Sequence, residues 1–219
     1  MVEISTSILS VKEGEESKVF LELESSKTDY FHIDVMDGKF VEKRTYEKML
    51  QYGEYIRRLS NAHIDVHLMV ENIDNAIDDF LVIEPNIITF HLEACKNKED
   101  VFRYINRIKD NNCKVGISIK PETNIKEIYD FLPFIHLALI MTVEPGKGGQ
   151  TLLNDMVEKI KTLKKYIDDN QIQVDIEADG GINLVTAPKV KDAGANILVS
   201  GTAILMAKSY ETIIKELRE

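Results

Sequence analysis

The chain has 219 residues, 44% of them hydrophobic and 29% charged, with a formal net charge of −10; these proportions supply a core and exclude a disordered chain, and the acidic balance opposes nucleic acid and anionic membrane surfaces as partners. Its two cysteines, Cys95 and Cys113, lie too far apart for a paired metal or redox motif and are read as small buried or half-buried side chains. No apolar run is long enough to span a bilayer, and Met1-Val2-Glu3-Ile4 lacks the basic start and apolar stretch of a leader, so a cytoplasmic protein is expected.

Taken in order, short β-branched runs predict strands at 4–9, 30–36, 64–69, 86–92, 114–119, 137–143, 173–178 and 197–200. Between them the apolar positions recur at three and four. Leu152, Leu153, Met156, Val157, Ile160, Leu163 and Ile167 make one such stripe, and Val101, Phe102, Ile105 and Ile108 another. Helix starts are expected near Ser10, ahead of Glu13, and near Asn183, after a glycine pair. Lys159, Lys161, Lys164 and Lys165 fall on one predicted helix and read as its solvated face. With no linker and no shift in composition, residues 1–219 are read as one domain. Eight strands alternating with helices predict an α/β fold of the (β/α)8 TIM-barrel kind, since parallel strands need crossover helices and eight close into a filled barrel. An open doubly wound sheet is the alternative. It would confine functional side chains to one switch point, whereas a barrel spreads them over the C-terminal ends of several strands.

The polar residues follow the barrel pattern. Ser7 lies near the end of strand 1. On strand 2, His32, Asp34 and Met36 share a face, because residues two apart point the same way. On strand 3, Asp65, His67 and Met69 do the same at matching height, and strand 7 runs Asp175, Glu177, Asp179 into Gly180-Gly181. A core histidine bonded to an aspartate accounts for His32 and Asp34 taken alone. Joined by His67 and Asp179 at two other strand ends, they also make a four-ligand set for one divalent ion of the zinc, iron, manganese or cobalt kind. After strand 6 comes Glu144-Pro145-Gly146-Lys147-Gly148-Gly149-Gln150, and after strand 8 Ser200-Gly201-Thr202-Ala203. Together with Gly180-Gly181, these small-residue turns before helices suit backbone N–H groups closing on a phosphate. Among the remaining histidines, His63 is expected to be exposed, His136 falls at the wrong end of a barrel for chemistry, and His91, with Glu93 after it, is left without a role.

Ser7-Ile8-Leu9-Ser10, His32-Ile33-Asp34-Val35-Met36-Asp37-Gly38, Val66-His67-Leu68-Met69, the stretch Val143 to Gln150 and Asp179-Gly180-Gly181 closely resemble, in order and spacing, the ribulose-phosphate 3-epimerase family, and the likeness runs end to end. The resemblance implies a TIM barrel of the ribulose-phosphate-binding type. It implies one divalent metal ion held by His32, Asp34, His67 and Asp179. The implied reaction converts D-ribulose 5-phosphate to D-xylulose 5-phosphate in the pentose phosphate route, with Asp34 and Asp179 as acid and base on opposite faces of an enediolate. It further implies that Met36, Met69 and Met141 crowd the reacting carbons, that Ser7 touches the sugar, and that the phosphate meets N–H groups around Gly146, Gly148, Gly149, Gly181, Gly201 and Thr202, with Gly180 in the same turn. A homo-oligomer, dimer or hexamer, is implied as well.

The chain departs from the family pattern in three places. Lys39-Phe40-Val41-Glu42-Lys43 lacks a proline and an asparagine usual after the strand 2 Asp-Gly, Lys147 stands where an aromatic is common, and Ala178 where valine is usual. The first departure borders the substrate mouth and keeps a six-carbon ketose phosphate, allulose 6-phosphate, as an alternative substrate. A non-catalytic sugar-phosphate-binding barrel is a further alternative. Decarboxylase or synthase chemistry would ask for a lysine at a strand end, where Lys120 is the candidate.

Overall fold

Eight parallel strands close into a barrel in chain order in the computed structural model, which describes residues 2–219. They are β1 (Glu3–Ser7), β2 (Tyr30–Met36), β3 (His63–Met69), β4 (Ile87–His91), β5 (Lys114–Ile119), β6 (Leu137–Met141), β7 (Asp175–Asp179) and β8 (Ile197–Ser200). Around them stand α1 (Glu16–Ser25), α2 (Tyr46–Leu59), α3 (Ile73–Leu81), α4 (Lys98–Asp110), α5 (Asp155–Asp169), α6 (Ala187–Ala193) and, after β8, both α7 (Thr202–Leu205) and α8 (Tyr210–Arg218). No helix among the described residues is long and apolar enough to cross a membrane.

Side-chain alternation divides the barrel into an oily outside and a mixed inside. Phe31, Ile33 and Val35 of β2 and Ile64, Val66 and Leu68 of β3 belong to the large cluster shared with the helices. The inward set begins with Tyr30, Ile87, Leu137 and Ile197, one from each even-numbered strand, which form a separate apolar layer near the strands' N-terminal ends. Above that layer the interior turns polar, with Ser5, His32, Asp65, His67, Thr89, Ser118 and Glu177 all buried. Hydrophobic burial against the helices drives closure, which leaves the inner positions open for chemistry.

Several expected boundaries move, each for a local reason. Strand β1 stops at Ser7 rather than at 9, because the Leu9 N–H turns back onto Ser7 Oγ at 3.4 Å and the Val11 N–H onto the Ile8 carbonyl at 3.0 Å. Helix α1 begins at Glu16, beyond Gly14 with its φ of +87°, so the stretch from Ser10 to Glu13 is a turn and not a helix start. Helix α5 begins at Asp155. Ahead of it the Leu153 N–H bonds the Thr142 carbonyl at 2.9 Å, which leaves Leu153 exposed instead of in the stripe. The Asn183 side chain accepts from the N–H groups of Val185 and Thr186 at 2.9 and 3.2 Å, making a turn before α6 rather than its cap. His63 joins β3 and is exposed, as is His136. Cys95 is half-buried and Cys113 buried, both as free thiols.

The sharpest departure follows β5. No α-helix packs there; two short 3-10 turns, Ile125–Ile128 and Leu132–Phe134, carry the chain to β6. What secures this connection is Lys159 of α5, expected on a solvated face. Its Nζ donates instead to the carbonyls of Lys120, Pro121 and Thr123, at 3.2, 2.6 and 2.7 Å. Lys159→Met keeps the stem but strips three acceptors of their donor, at a cost of about 1–2 kcal/mol. A calorimetric scan is expected to show a Tm lower by about 2–8 °C.

Candidate active site

Parallel pairing of β2 with β3 sets Asp34 beside His67 and Met36 beside Met69, while β6 and β7 set Met141 beside Asp179. The four side chains expected to act together do converge. His32 Nε2 stands 3.3 Å from Asp34 Oδ1 and 3.8 Å from Asp179 Oδ2; His67 Nδ1 stands 3.6 and 3.5 Å from the same two oxygens. One ligand atom from each lies within 4.8 Å of all the others.

Two of those atoms, His32 Nε2 and His67 Nδ1, are buried without a hydrogen-bond partner. Buried polar atoms of this kind are costly unless something completes them. A cation between them would do so, since tetrahedral ligands about 2.0–2.2 Å from a metal sit roughly 3.3–3.5 Å apart. The electrostatics agree. Burial pushes the Asp34 carboxyl up, yet His32 and His67 outweigh it and hold Asp34 below the usual carboxylate range. Burial likewise opposes charge on both imidazoles, but Asp65 and Asp34 raise the pKa of His32, and Asp179 and Asp34 that of His67. The centre of the cluster favours positive charge.

A set of residues that the sequence left without roles surrounds this group. Asp65 Oδ2 lies 2.6 Å from His32 Nδ1 and accepts from the Ser5 hydroxyl at 2.9 Å. A carboxylate on Nδ1 selects the tautomer with its proton there and turns the Nε2 lone pair inward. Glu177 is fully buried beside Asp65, and burial, with the Asp65 charge adding to it, pushes its carboxyl well above the usual range. On the other side, His67 Nε2 is 3.0 Å from His91 Nε2, and His91 Nδ1 is 3.0 Å from Glu93 Oε2. Parity carried a signal for Asp65 and Glu177, which share faces with His67 and Asp179. For His91 the signal was its place at a strand end two residues before an acid.

Above the cluster opens a pocket of about 320 Å³. Its walls contain Ser7, Met36, Met69 and Met141, the two carboxylates Asp34 and Asp179, and Gly146, Gly148, Gly149, Gly180, Gly181, Gly201 and Thr202. His32 and His67 lie beneath it, fully buried. The Ser7 hydroxyl donates to Asp34 Oδ2 at 2.8 Å, which leaves Oδ1 facing the imidazoles. Lys147, Gln150 and Asn183 also line the pocket. Gln150 braces its loop by donating to the carbonyls of Glu144 and Lys147, at 2.6 and 2.9 Å.

The Lys39 to Lys43 turn does not line this pocket. The Asp37 carboxylate secures the turn: its Oδ1 accepts from the N–H groups of Lys39 and Phe40, at 2.8 and 2.9 Å, and its Oδ2 from the Glu71 N–H at 2.8 Å. The turn meets the site indirectly, through Phe40 on the His91 ring at 4.8 Å and through Val41 against Gly146. Lys120 does not line the cavity; its ammonium lies over the Phe40 ring at 4.3 Å.

These features define a class: a (β/α)8 barrel with a cation-favouring His and Asp cluster under a glycine-walled mouth suited to an anion. Within that class, the chain belongs to the ribulose-phosphate 3 epimerase family, whose model matches residues 3–205. It is 38% identical to the ribulose-phosphate 3-epimerase of Methanocaldococcus jannaschii, over 100% of this chain and 91% of that one. The enzyme of the same name from Bacillus subtilis is 36% identical over 100% and 99%. Among solved structures, 3-keto-L-gulonate-6-phosphate decarboxylase from Vibrio cholerae superposes with a TM-score of 0.74 at 13% identity, over 100% of this chain and 96% of that one, which is a likeness of fold.

Proposed function

We propose that the protein inverts C3 of a ketose phosphate, interconverting D-ribulose 5-phosphate and D-xylulose 5-phosphate, with Asp34 and Asp179 as the two proton-transfer groups. The observation that carries this reading is the pair of carboxylates. They come from strands three places apart around the mouth, both line the one pocket, and both approach two imidazole nitrogens that lack partners. Inverting a carbon requires a base on one face and an acid on the other, since a single group returns the proton to the side it left.

In this reading His32, Asp34, His67 and Asp179 hold one divalent ion of the zinc, iron, manganese or cobalt kind. Such an ion supplies Lewis-acid stabilisation of enediolate charge. Ser7 fixes the Asp34 carboxylate through its hydroxyl. Met36, Met69 and Met141, each no more than 3% exposed, give a dry and polarisable surface to a planar intermediate. Backbone N–H groups of the turns at Gly146, Gly148, Gly149, Gly181, Gly201 and Thr202 receive the phosphate, with Lys147 at the rim adding a positive charge that the acidic chain as a whole does not provide. A pure binder has no use for carboxylates flanking the ligand. Lys120, stacked on Phe40, is not placed for decarboxylase or synthase chemistry.

The test is an epimerisation assay on D-ribulose 5-phosphate and allulose 6-phosphate with protein loaded with each ion in turn. Turnover of the pentulose is expected to exceed that of the hexulose at least tenfold in kcat/KM and to disappear after chelation. Equal or reversed preference overturns the substrate assignment, and full activity after verified metal removal overturns the metal.

A further inference from the structure

Beside the metal-type cluster, a hydrogen-bonded file leaves the pocket sideways. It runs from His67 Nε2 to His91 Nε2 at 3.0 Å, then from His91 Nδ1 to Glu93 Oε2 at 3.0 Å. It ends where Glu93 Oε1 accepts from the Lys120 backbone N–H at 2.7 Å and from the Thr123 hydroxyl. Each end of the file constrains the next. The Lys120 N–H can only donate, so Glu93 Oε1 must accept. Burial raises the Glu93 carboxyl, but His91, Thr123 and the Lys120 N–H outweigh it and bring its pKa down to about 2, so the group is ionised and accepts at Oε2 as well. His91 is fully buried between the Glu93 carboxylate and the His67 ring, and as a neutral imidazole it carries a single ring proton. Facing a carboxylate, that proton must be on Nδ1, which leaves His91 Nε2 as a bare acceptor. The 3.0 Å contact between the two Nε2 atoms then needs its hydrogen from His67. The Phe40 ring lies over His91 at 4.8 Å, and His91 has no exposed surface through which water could substitute for either partner.

We propose that His91 and Glu93 are positioning residues which hold the ring proton of His67 on Nε2 and thereby keep its Nδ1 lone pair directed at the metal position. The inference rests on the metal reading of the site given under the proposed function. It assigns a purpose to the strand β4 histidine and to the turn after β5, which touch the reaction only through His67. Partners of this outer kind typically change metal affinity 10–100-fold when altered.

Glu93→Gln is the discriminating variant, because it keeps shape while reversing polarity. The Lys120 N–H demands the amide oxygen at its end, so the amide NH2 must face His91 Nδ1. His91 then has to carry its proton on Nε2, against the Nε2–H of His67, and His67 can relieve the clash only by moving its proton to Nδ1, where the ion belongs. In competition titrations against a chromophoric chelator, the variant is expected to bind Zn(II) 10–100-fold more weakly than the wild type. The visible spectrum of the Co(II)-loaded variant is expected to shift. A merely structural role for Glu93 would lower Tm while leaving affinity and spectrum within twofold and unshifted, and that result overturns the proposal while leaving the metal reading intact. Failure of the wild type itself to bind any divalent ion overturns the metal reading, and the inference with it. Should the variant not fold, imidazole 15N spectra of the zinc-loaded wild type decide: protonated Nε2 on His67 with bare Nε2 on His91 is expected, and the reverse pattern overturns the proposal.

Discussion

Asp34→Asn and Asp179→Asn are each expected to lower epimerisation by about 10³-fold or more, on the order of 4 kcal/mol in the barrier. The amide is the same size as the carboxylate but neither takes a proton from carbon nor returns one. At Asp34 the change is sterically mild, because the Ser7 hydroxyl that donates to Oδ2 at 2.8 Å can rotate to accept from an amide instead. What is lost is a negative oxygen 3.3 Å from His32 Nε2 and 3.6 Å from His67 Nδ1. Metal content must therefore be measured alongside activity, so that loss of a base is separated from loss of a ligand. Exchange of the C3 hydrogen with solvent deuterium separates the two carboxylates further. Each variant retains one of the pair, so any residual exchange should be confined to one epimer, and to opposite epimers in the two variants. Exchange at wild-type rate on both sugars in both variants would sink the two-base scheme.

How much of this could be read in the residues depends on how local the information is. His32, Asp34 and Met36 share a face by the two-residue repeat of a strand, and the same parity orders His67 with Asp65 and Asp179 with Glu177. Such facts survive errors of a residue or two at a strand end: β1 is shorter than expected and β7 ends one residue later, at Asp179, yet the side chains converge. Contacts set by barrel closure were not legible. The sequence places His91 at a strand end two residues before Glu93, but the contact of its Nε2 with His67 Nε2 depends on how the β3–β4 pairing turns the two rings together, which no spacing announces. Lys159 misled for the same reason. Its neighbours Lys164 and Lys165 do pair with Asp168 and Asp169 at the surface, while Lys159 differs from them only in what the turn after β5 brings over it. The departure at Lys39 to Lys43 lies outside the pocket wall, in a turn that the Asp37 carboxylate holds, a placement that sequence position alone did not reveal.

Gly181→Ala is expected to act on the other half of the site, raising KM for the sugar phosphate about tenfold or more while kcat falls much less. Gly181 has a φ of +68°, a conformation that costs an alanine roughly 1–2 kcal/mol. A Cβ built there would stand 2.5 Å from the Leu152 backbone nitrogen and 2.9 Å from the Gln150 carbonyl oxygen, so the β6–α5 connection must move. That connection carries Gly146, Gly148 and Gly149, and Gln150 braces it, so the shift reaches the N–H groups proposed to receive the phosphate. The carboxylates are held separately, through Ser7, His32 and His67, which is why the effect should fall on binding. Gly14→Ala is the control: it also has a positive φ, +87°, but nothing lies within 4 Å of the added carbon, and Gly14 lies outside the pocket. It should lose only the positive-φ cost, about 1–2 kcal/mol, and leave KM unchanged. Inhibition by inorganic phosphate should weaken in parallel with KM in Gly181→Ala alone. If both alanine variants bind substrate and phosphate as the wild type does, the glycine turns serve only to enter helices, and the phosphate must be received elsewhere.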